Sequence, residues 1–286
     1  MKLMSFATAR GTSYGLLQGE RVYDLALRLG PTCPDLRSAL ANGALKDVAA
    51  CIGAGDADYH LSELTFLPVI PNPVRIFCVG LNYKAHREET SRADTTDPVL
   101  FVRVAESQTG HGRALVCPRE SDSFDFEGEI AAVIGVGGRR IPEARALEHV
   151  AGLSCYNDGS VRDWQATTTQ WTAGKNFPAT GAFGPWLVTP DELPLDKTIS
   201  LVTRLNGAEV QRTTTDLMTF PLARLVSFIS TFTTLEPGDV IVTGTPGGVG
   251  FKRMPPLFMK GGDVVEVEVE GIGTLCNPVV KEAAGA

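Results

Sequence analysis

The sequence predicts an α+β, β-rich protein in two parts: a small N-terminal α+β domain, residues 1–73, and a larger strand-rich domain with a few covering helices, residues 74–286. Three observations lead there. Short apolar runs of strand length recur after residue 74, punctuated by glycine and proline. Val265, Val267 and Val269 alternate with Glu266, Glu268 and Glu270, the pattern of a strand with one wet face. Strands and helices do not alternate regularly, which disfavours Rossmann and TIM architectures. The 286 residues, at about 150 per domain, suit this division.

In chain order, MKLMSFAT and YGLLQGERVYDL read as strands, the second folded over a turn at Gln18-Gly19-Glu20. Helical spacing follows over residues 35–40 and 45–52, broken at Asn42-Gly43. Three prolines within residues 67–73 favour an extended connector and set the boundary. Beyond it, RIFCVG, PVLFVR, EIAAVIGVG, LVTRLNG, DVIVTG and DVVEVEVEG read as strands. Helices are expected over residues 142–150, 160–169 and 221–232.

Composition excludes several functions. Lys and Arg total 26 against 33 Asp and Glu, a net charge of −7, with no basic run. That is a poor match to a nucleic-acid binder or a polybasic membrane anchor. No apolar stretch approaches the ~18 residues of a spanning helix, and the N-terminus lacks a secretory layout. A soluble, cytoplasmic protein is expected. The six cysteines form no C-x-x-C pair and are expected to be reduced and structural. TGTPGGVGFK lacks the Gly-Lys-Ser/Thr ending of a Walker loop, and GVGGRR lacks dinucleotide spacing. H-E-x-x-H does not occur. With only four histidines, carboxylates must carry most of any chemistry.

The segment FDFEGEI meets that need. In a strand, Glu127 and Glu129 point to one face, about 6.6 Å apart at Cα. Like charges that close repel unless water or a cation intervenes. Asp158 ends another apolar run, AGLSCYND. Oxygen ligands alone suit Mg²⁺, Mn²⁺ or Ca²⁺ rather than Zn²⁺. The competing reading is a solvated strand face, as near residue 265.

Further segments separate these readings. VGLNYKAHREE (79–89), NDGSVRDWQ (157–165), WTAGKNF (171–177) and PGDVIVTGTP (237–246), taken with FDFEGE, resemble the fumarylacetoacetate hydrolase family, in family order over residues 74–281. The resemblance implies a mixed β-roll with its metal site in a cleft, a homodimer, and a small variable N-terminal domain. It implies that Glu127, Glu129 and Asp158 hold the divalent cation. It also implies that His86 and Glu89, three apart and on one face of a helix, form a lid dyad that activates water. Lys175 would stabilise an enolate or oxyanion. Arg162 and Gln165, one and two turns past Asp158, would bind a substrate carboxylate. Thr245 would assist through its hydroxyl or amide, and Arg103 is a further cleft candidate.

The implied activity is hydrolysis of a C–C bond in an acylpyruvate or related 2,4-dioxo acid, through a metal-stabilised enolate. Family members also decarboxylate 2-oxo diacids, isomerise hydroxymuconate-type dienes or hydrate oxopentenoates. The retained dyad leans toward hydrolysis or decarboxylation. A reading from another class is an oxo-acid binding protein without turnover. Pro178-Ala179 stands where many relatives carry an acidic residue.

Overall fold

The structure, a computed structural model, describes residues 1–48, 52 and 56–283. Its architecture is β-rich with few helices, as expected. The largest sheet has twelve strands. At its centre runs Gly128–Ile134, antiparallel to Val150–Asn157 on one side and to Val240–Val242 on the other. Val240–Val242 pairs in parallel with Ile76–Gly80, and Val99–Arg103 follows on that edge. On the other side, Val150–Asn157 pairs with Gly181–Val188, which pairs with the N-terminal strand Lys2–Thr8. The strands of residues 1–73 thus continue the sheet of the larger part, with Leu3 opposite Leu187.

A second sheet has five strands in the order Ala208–Thr214, Ser200–Leu205, Val264–Val269, Gly273–Lys281 and Leu115–Cys117. Val265, Val267 and Val269 turn inward and are buried, whereas Glu268 reaches Arg204 at 2.6 Å on the wet face. Between the sheets lie Ile130, Ala132 and Ile134 from the central strand, packed in one core with Leu201, Leu205 and Val267. The opposite face presents Ala131 and Val133 to a core shared with Leu3, Tyr14 and Leu36 of the N-terminal part. Burial on both faces is why this strand reads as a continuous apolar run rather than an alternation.

The helices are shorter than expected. Leu222–Phe232 matches, burying Leu225, Val226 and Ile229 at helical spacing. The 142–150 segment is a 3₁₀ helix, Glu143–His149. The 160–169 segment is first a strand, Ser160–Val161, paired with Phe124–Asp125, and only then one helical turn, Arg162–Gln165. A run of threonines, which favour turns over helix interiors, follows it. Within the expected 45–52 helix, Ala44–Asp47 forms a 3₁₀ turn, and residues 49–51 lie outside those described. Among the described residues no helix is long and apolar enough to cross a membrane. Cys33, Cys78, Cys117, Cys155 and Cys276 are free thiols; Cys51 lies outside the described residues.

Candidate active site

Sheet pairing delivers the acidic residues to one place. Gly128 pairs with Asn157, so the residues around the start of one strand meet the end of its neighbour. The Asp158 amide donates to Glu127 O at 2.8 Å, and the Glu127 amide to Asn157 Oδ1 at 3.0 Å. Glu127, Glu129 and Asp158 are all buried, and each offers an oxygen within 4.8 Å of the others.

Three buried cations stand among them. Lys175 Nζ lies 2.7 Å from Glu127 Oε2 and 2.6 Å from Asp158 Oδ2. Arg103 Nη1 meets Asp158 Oδ1 at 2.5 Å, while Nη2 donates to Thr180 Oγ1 at 2.8 Å. Arg162 donates from Nε to Asp125 Oδ2 at 2.9 Å, and its Nη1 lies 2.7 Å from Glu127 Oε1. Burial opposes ionisation of Glu127, but Lys175, Arg162 and His86 outweigh it and hold its carboxyl well below the usual range. Among the described residues Glu129 has no such partner: its Oε2 accepts from the Gly244 amide. Burial, reinforced by the charges of Asp158 and Glu127, pushes its carboxyl well above the usual range. The centre is thus short of positive charge at Glu129, and its donors are hard oxygens. That chemistry fits a divalent Mg²⁺- or Mn²⁺-type cation.

Above this centre opens a cavity of about 240 Å³. Glu127, Glu129 and Lys175 line it, with Phe101, Trp171 and Phe251 as apolar walls. Asp158 lies beneath, fully buried, its two oxygens engaged by Arg103 and Lys175. Arg103 is likewise behind the cavity rather than in it.

His86 enters from the helix Lys84–Glu89, which does form over the expected segment. Its Nδ1 lies 2.7 Å from Glu89 Oε1, and Glu89 Oε2 accepts from the Gly248 amide at 2.8 Å. A carboxylate only accepts, so Nδ1 carries a proton, and in the neutral ring Nε2 is the nitrogen with the lone pair. The helix root is fixed by Asn82, whose Nδ2 donates to Thr243 O at 2.7 Å and to Phe220 O at 3.0 Å.

Arg162 is held on nearly every side. Its guanidinium stacks on Phe251 at 4.4 Å, and Nη1 also donates to Gln165 Oε1 at 2.9 Å. Its Nη2 is buried and has no partner among the described residues. Gln165 lines the cavity beside it. Thr245 lines the cavity too, but its hydroxyl donates to Gly128 O at 3.1 Å and accepts from Gln211 Nε2 at 2.8 Å. Its hydroxyl proton is therefore already committed.

Four further residues were not singled out by sequence. Asp125, buried, accepts from the Gly250 and Phe251 amides at 2.9 and 3.0 Å and so ties that loop to Arg162. It is next but one to Glu127, so the motif itself carried the signal. Gln211 arrives from the second sheet, and no local pattern marks it. Arg92 and Lys252 line the cavity as exposed cations, with no ion pair among the described residues. Ordinary surface charge hides such residues in a sequence.

The C-terminal fumarylacetoacetate (FAA) hydrolase family matches residues 75–280. A curated relative, the mitochondrial oxaloacetate tautomerase fahd2 of Xenopus laevis, is 40% identical over 230 residues, covering 79% of this chain and 72% of its own. Among solved structures, fumarylacetoacetate hydrolase from Exiguobacterium antarcticum superposes with a TM-score of 0.86 at 33% identity. The 5-carboxymethyl-2-hydroxymuconate delta-isomerase of Mycobacterium smegmatis does so with a TM-score of 0.79 at 33% identity. Both alignments cover 99% of this chain and 100% of the other.

Proposed function

The chain belongs to the fumarylacetoacetate hydrolase family, and from that premise we propose that it moves a proton beside the carbonyl of a 2-oxo dicarboxylate, a keto–enol tautomerisation. The observation that carries this reading is one cavity lined by Arg162, Lys175 and His86, with the buried Nη2 of Arg162 lacking a partner among the described residues. An unpaired buried donor is costly, and a ligand oxygen is the natural partner. The substrate's C1 carboxylate takes that donor, with Gln165 alongside. Lys175 Nζ faces the carbonyl oxygen and offsets the charge that grows there. Nε2 of His86, oriented by Glu89, takes the proton from C3 and returns it to oxygen. Arg92 and Lys252 at the rim suit the second carboxylate. A divalent cation, Mg²⁺ or Mn²⁺, held by Glu127, Glu129 and Asp158, supplies Lewis-acid stabilisation of negative charge on the substrate's oxygens. The reading includes a homodimer, which the family resemblance implies, and a cytoplasmic location, with which six cysteines lacking any C-x-x-C pair agree.

The name of the Xenopus relative supports tautomerisation. A second reading, hydrolysis of a C–C bond in an acylpyruvate, is favoured by the His86–Glu89 pair at 2.7 Å, an arrangement that equally activates water. Both are resolved by one assay with Mg²⁺ and then with EDTA. Accelerated decay of the enol absorbance of oxaloacetate, abolished by EDTA, supports the tautomerase. Release of pyruvate from acylpyruvates, with the oxaloacetate enol untouched, replaces it with the hydrolase. No change in either substrate leaves a binding protein.

A further inference from the structure

We propose that Gln211, acting with Thr245, is the positioning pair that keeps Glu127 and Glu129 convergent on a divalent cation; this rests on reading those carboxylates as cation ligands. The residue between them, Gly128, is enclosed by a closed circuit of hydrogen bonds. Its amide donates to Gln211 Oε1 at 2.9 Å. Gln211 Nε2 donates to Thr245 Oγ1 at 2.8 Å, and Thr245 Oγ1 donates back to Gly128 O at 3.1 Å. A second Nε2 bond to Pro246 O at 3.1 Å anchors the amide to the turn. Gln211 and Thr245 are both buried.

The circuit depends on a bare glycine and on a carboxamide. A Cβ on Gly128 would stand 1.9 Å from Thr203 Oγ1, so the second sheet approaches the backbone here as only glycine allows. Thr203 and Gln211 are opposite one another on paired strands, which puts both side chains on one face. From there Gln211 must accept from an amide and donate to a hydroxyl at once. A glutamate could only accept and an apolar residue could do neither. The same turn sends the Gly244 amide to Glu129 Oε2. Gln211 therefore fixes both the backbone between the two carboxylates and the turn that orients one of them. Their mutual repulsion would otherwise spread them.

The core between the sheets is built from apolar residues outside this circuit, so cation affinity should fall before stability does. The test is a titration of the full chain with Mn²⁺ alone, read by the electron paramagnetic resonance of free Mn²⁺, with thermal melts in parallel. Gln211→Met and Thr245→Val should melt cooperatively and bind Mn²⁺ about 10–100-fold more weakly, the cost of lost outer-shell support. Thr245→Ser, which keeps the hydroxyl, should bind as wild type does. If Gln211→Met does not fold, the Thr245 pair decides. Wild-type Mn²⁺ affinity in folded Gln211→Met and Thr245→Val overturns the brace and leaves the cation reading standing. Wild-type protein that binds no Mn²⁺ removes the cation reading, and the brace with it.

Discussion

Lys175 Nζ stands between Glu127 and Asp158 with 1% of the residue exposed, so its charge is one of three that let the acidic cluster stay folded. Breaking a buried pair by removing one partner costs about 3–5 kcal/mol, because the abandoned charge remains in low dielectric. Lys175→Met should therefore melt well below wild type in EDTA. Added Mn²⁺ should recover part of the loss, since a cation that binds only the native state stabilises it by mass action. Calorimetry with and without Mn²⁺ checks this, and an equal loss in both conditions would separate Lys175 from the cation centre. His86 makes a different demand. It lines the cavity and is not a member of the acidic cluster. His86→Ala should lower kcat by about 10²–10⁴-fold, the usual worth of a general base, while bound Mn²⁺ stays at the wild-type level. Turnover at the wild-type rate would take the proton-transfer role away from this residue.

The central strand Gly128–Ile134 explains why some elements could be read from the sequence and others could not. Its apolar run is buried on both faces, and Val264–Val269 alternates because only one face is, so each carries a pattern set by its own surroundings. Gly181–Val188, GAFGPWLV, is not among the strands read from the sequence, its glycines and proline obscuring the pattern. It is a strand because Val150–Asn157 and Lys2–Thr8 pair with it from both sides, which no local pattern reports. The site divides the same way. Glu127, Glu129 and Asp158 lie in short motifs, whereas Gln211 acts across 83 residues of chain. The tight contact at Gly128 gives this scale its own test. Gly128→Ala should destabilise the protein by about 1–3 kcal/mol, an overpacking cost. Thr203→Ala should restore part of it in the double variant, because the clash is first with Thr203 Oγ1. A denaturation series measures the recovery, and additive losses would mean the strain lies elsewhere. On the neighbouring strand, opposite Ile130, burial pushes the Cys155 thiol up to about 12. The reactive species is the thiolate, so at pH 8 Cys155 should resist iodoacetamide until the protein unfolds, as peptide mass mapping would reveal.

At the scale of the molecule, the proline-rich connector separates two stretches of sequence whose packing is shared. Leu3, Tyr14, Leu16 and Leu36 belong to one core with Ala131, Val133, Leu187 and Val242. They cover the back of the strand that begins at the acidic centre. Lys2 and Leu3 also pair with Val188 and Leu187 at the end of Gly181–Val188, whose start pairs with Gln108 and Thr109. Removing residues 1–73 would therefore expose an apolar face and an unpaired strand edge together, the combination that drives aggregation. A chain of residues 74–286 should be recovered mostly insoluble. Any soluble fraction should bind a hydrophobic dye and lack a sharp melt, because the central strand would have lost one of its two packed faces. Supplying residues 1–73 as a separate chain during refolding should restore solubility, since the interface is apolar and includes strand pairing. A soluble, cooperatively melting 74–286 chain with wild-type Mn²⁺ affinity would instead make the catalytic part self-sufficient and the N-terminal strands an accessory to it.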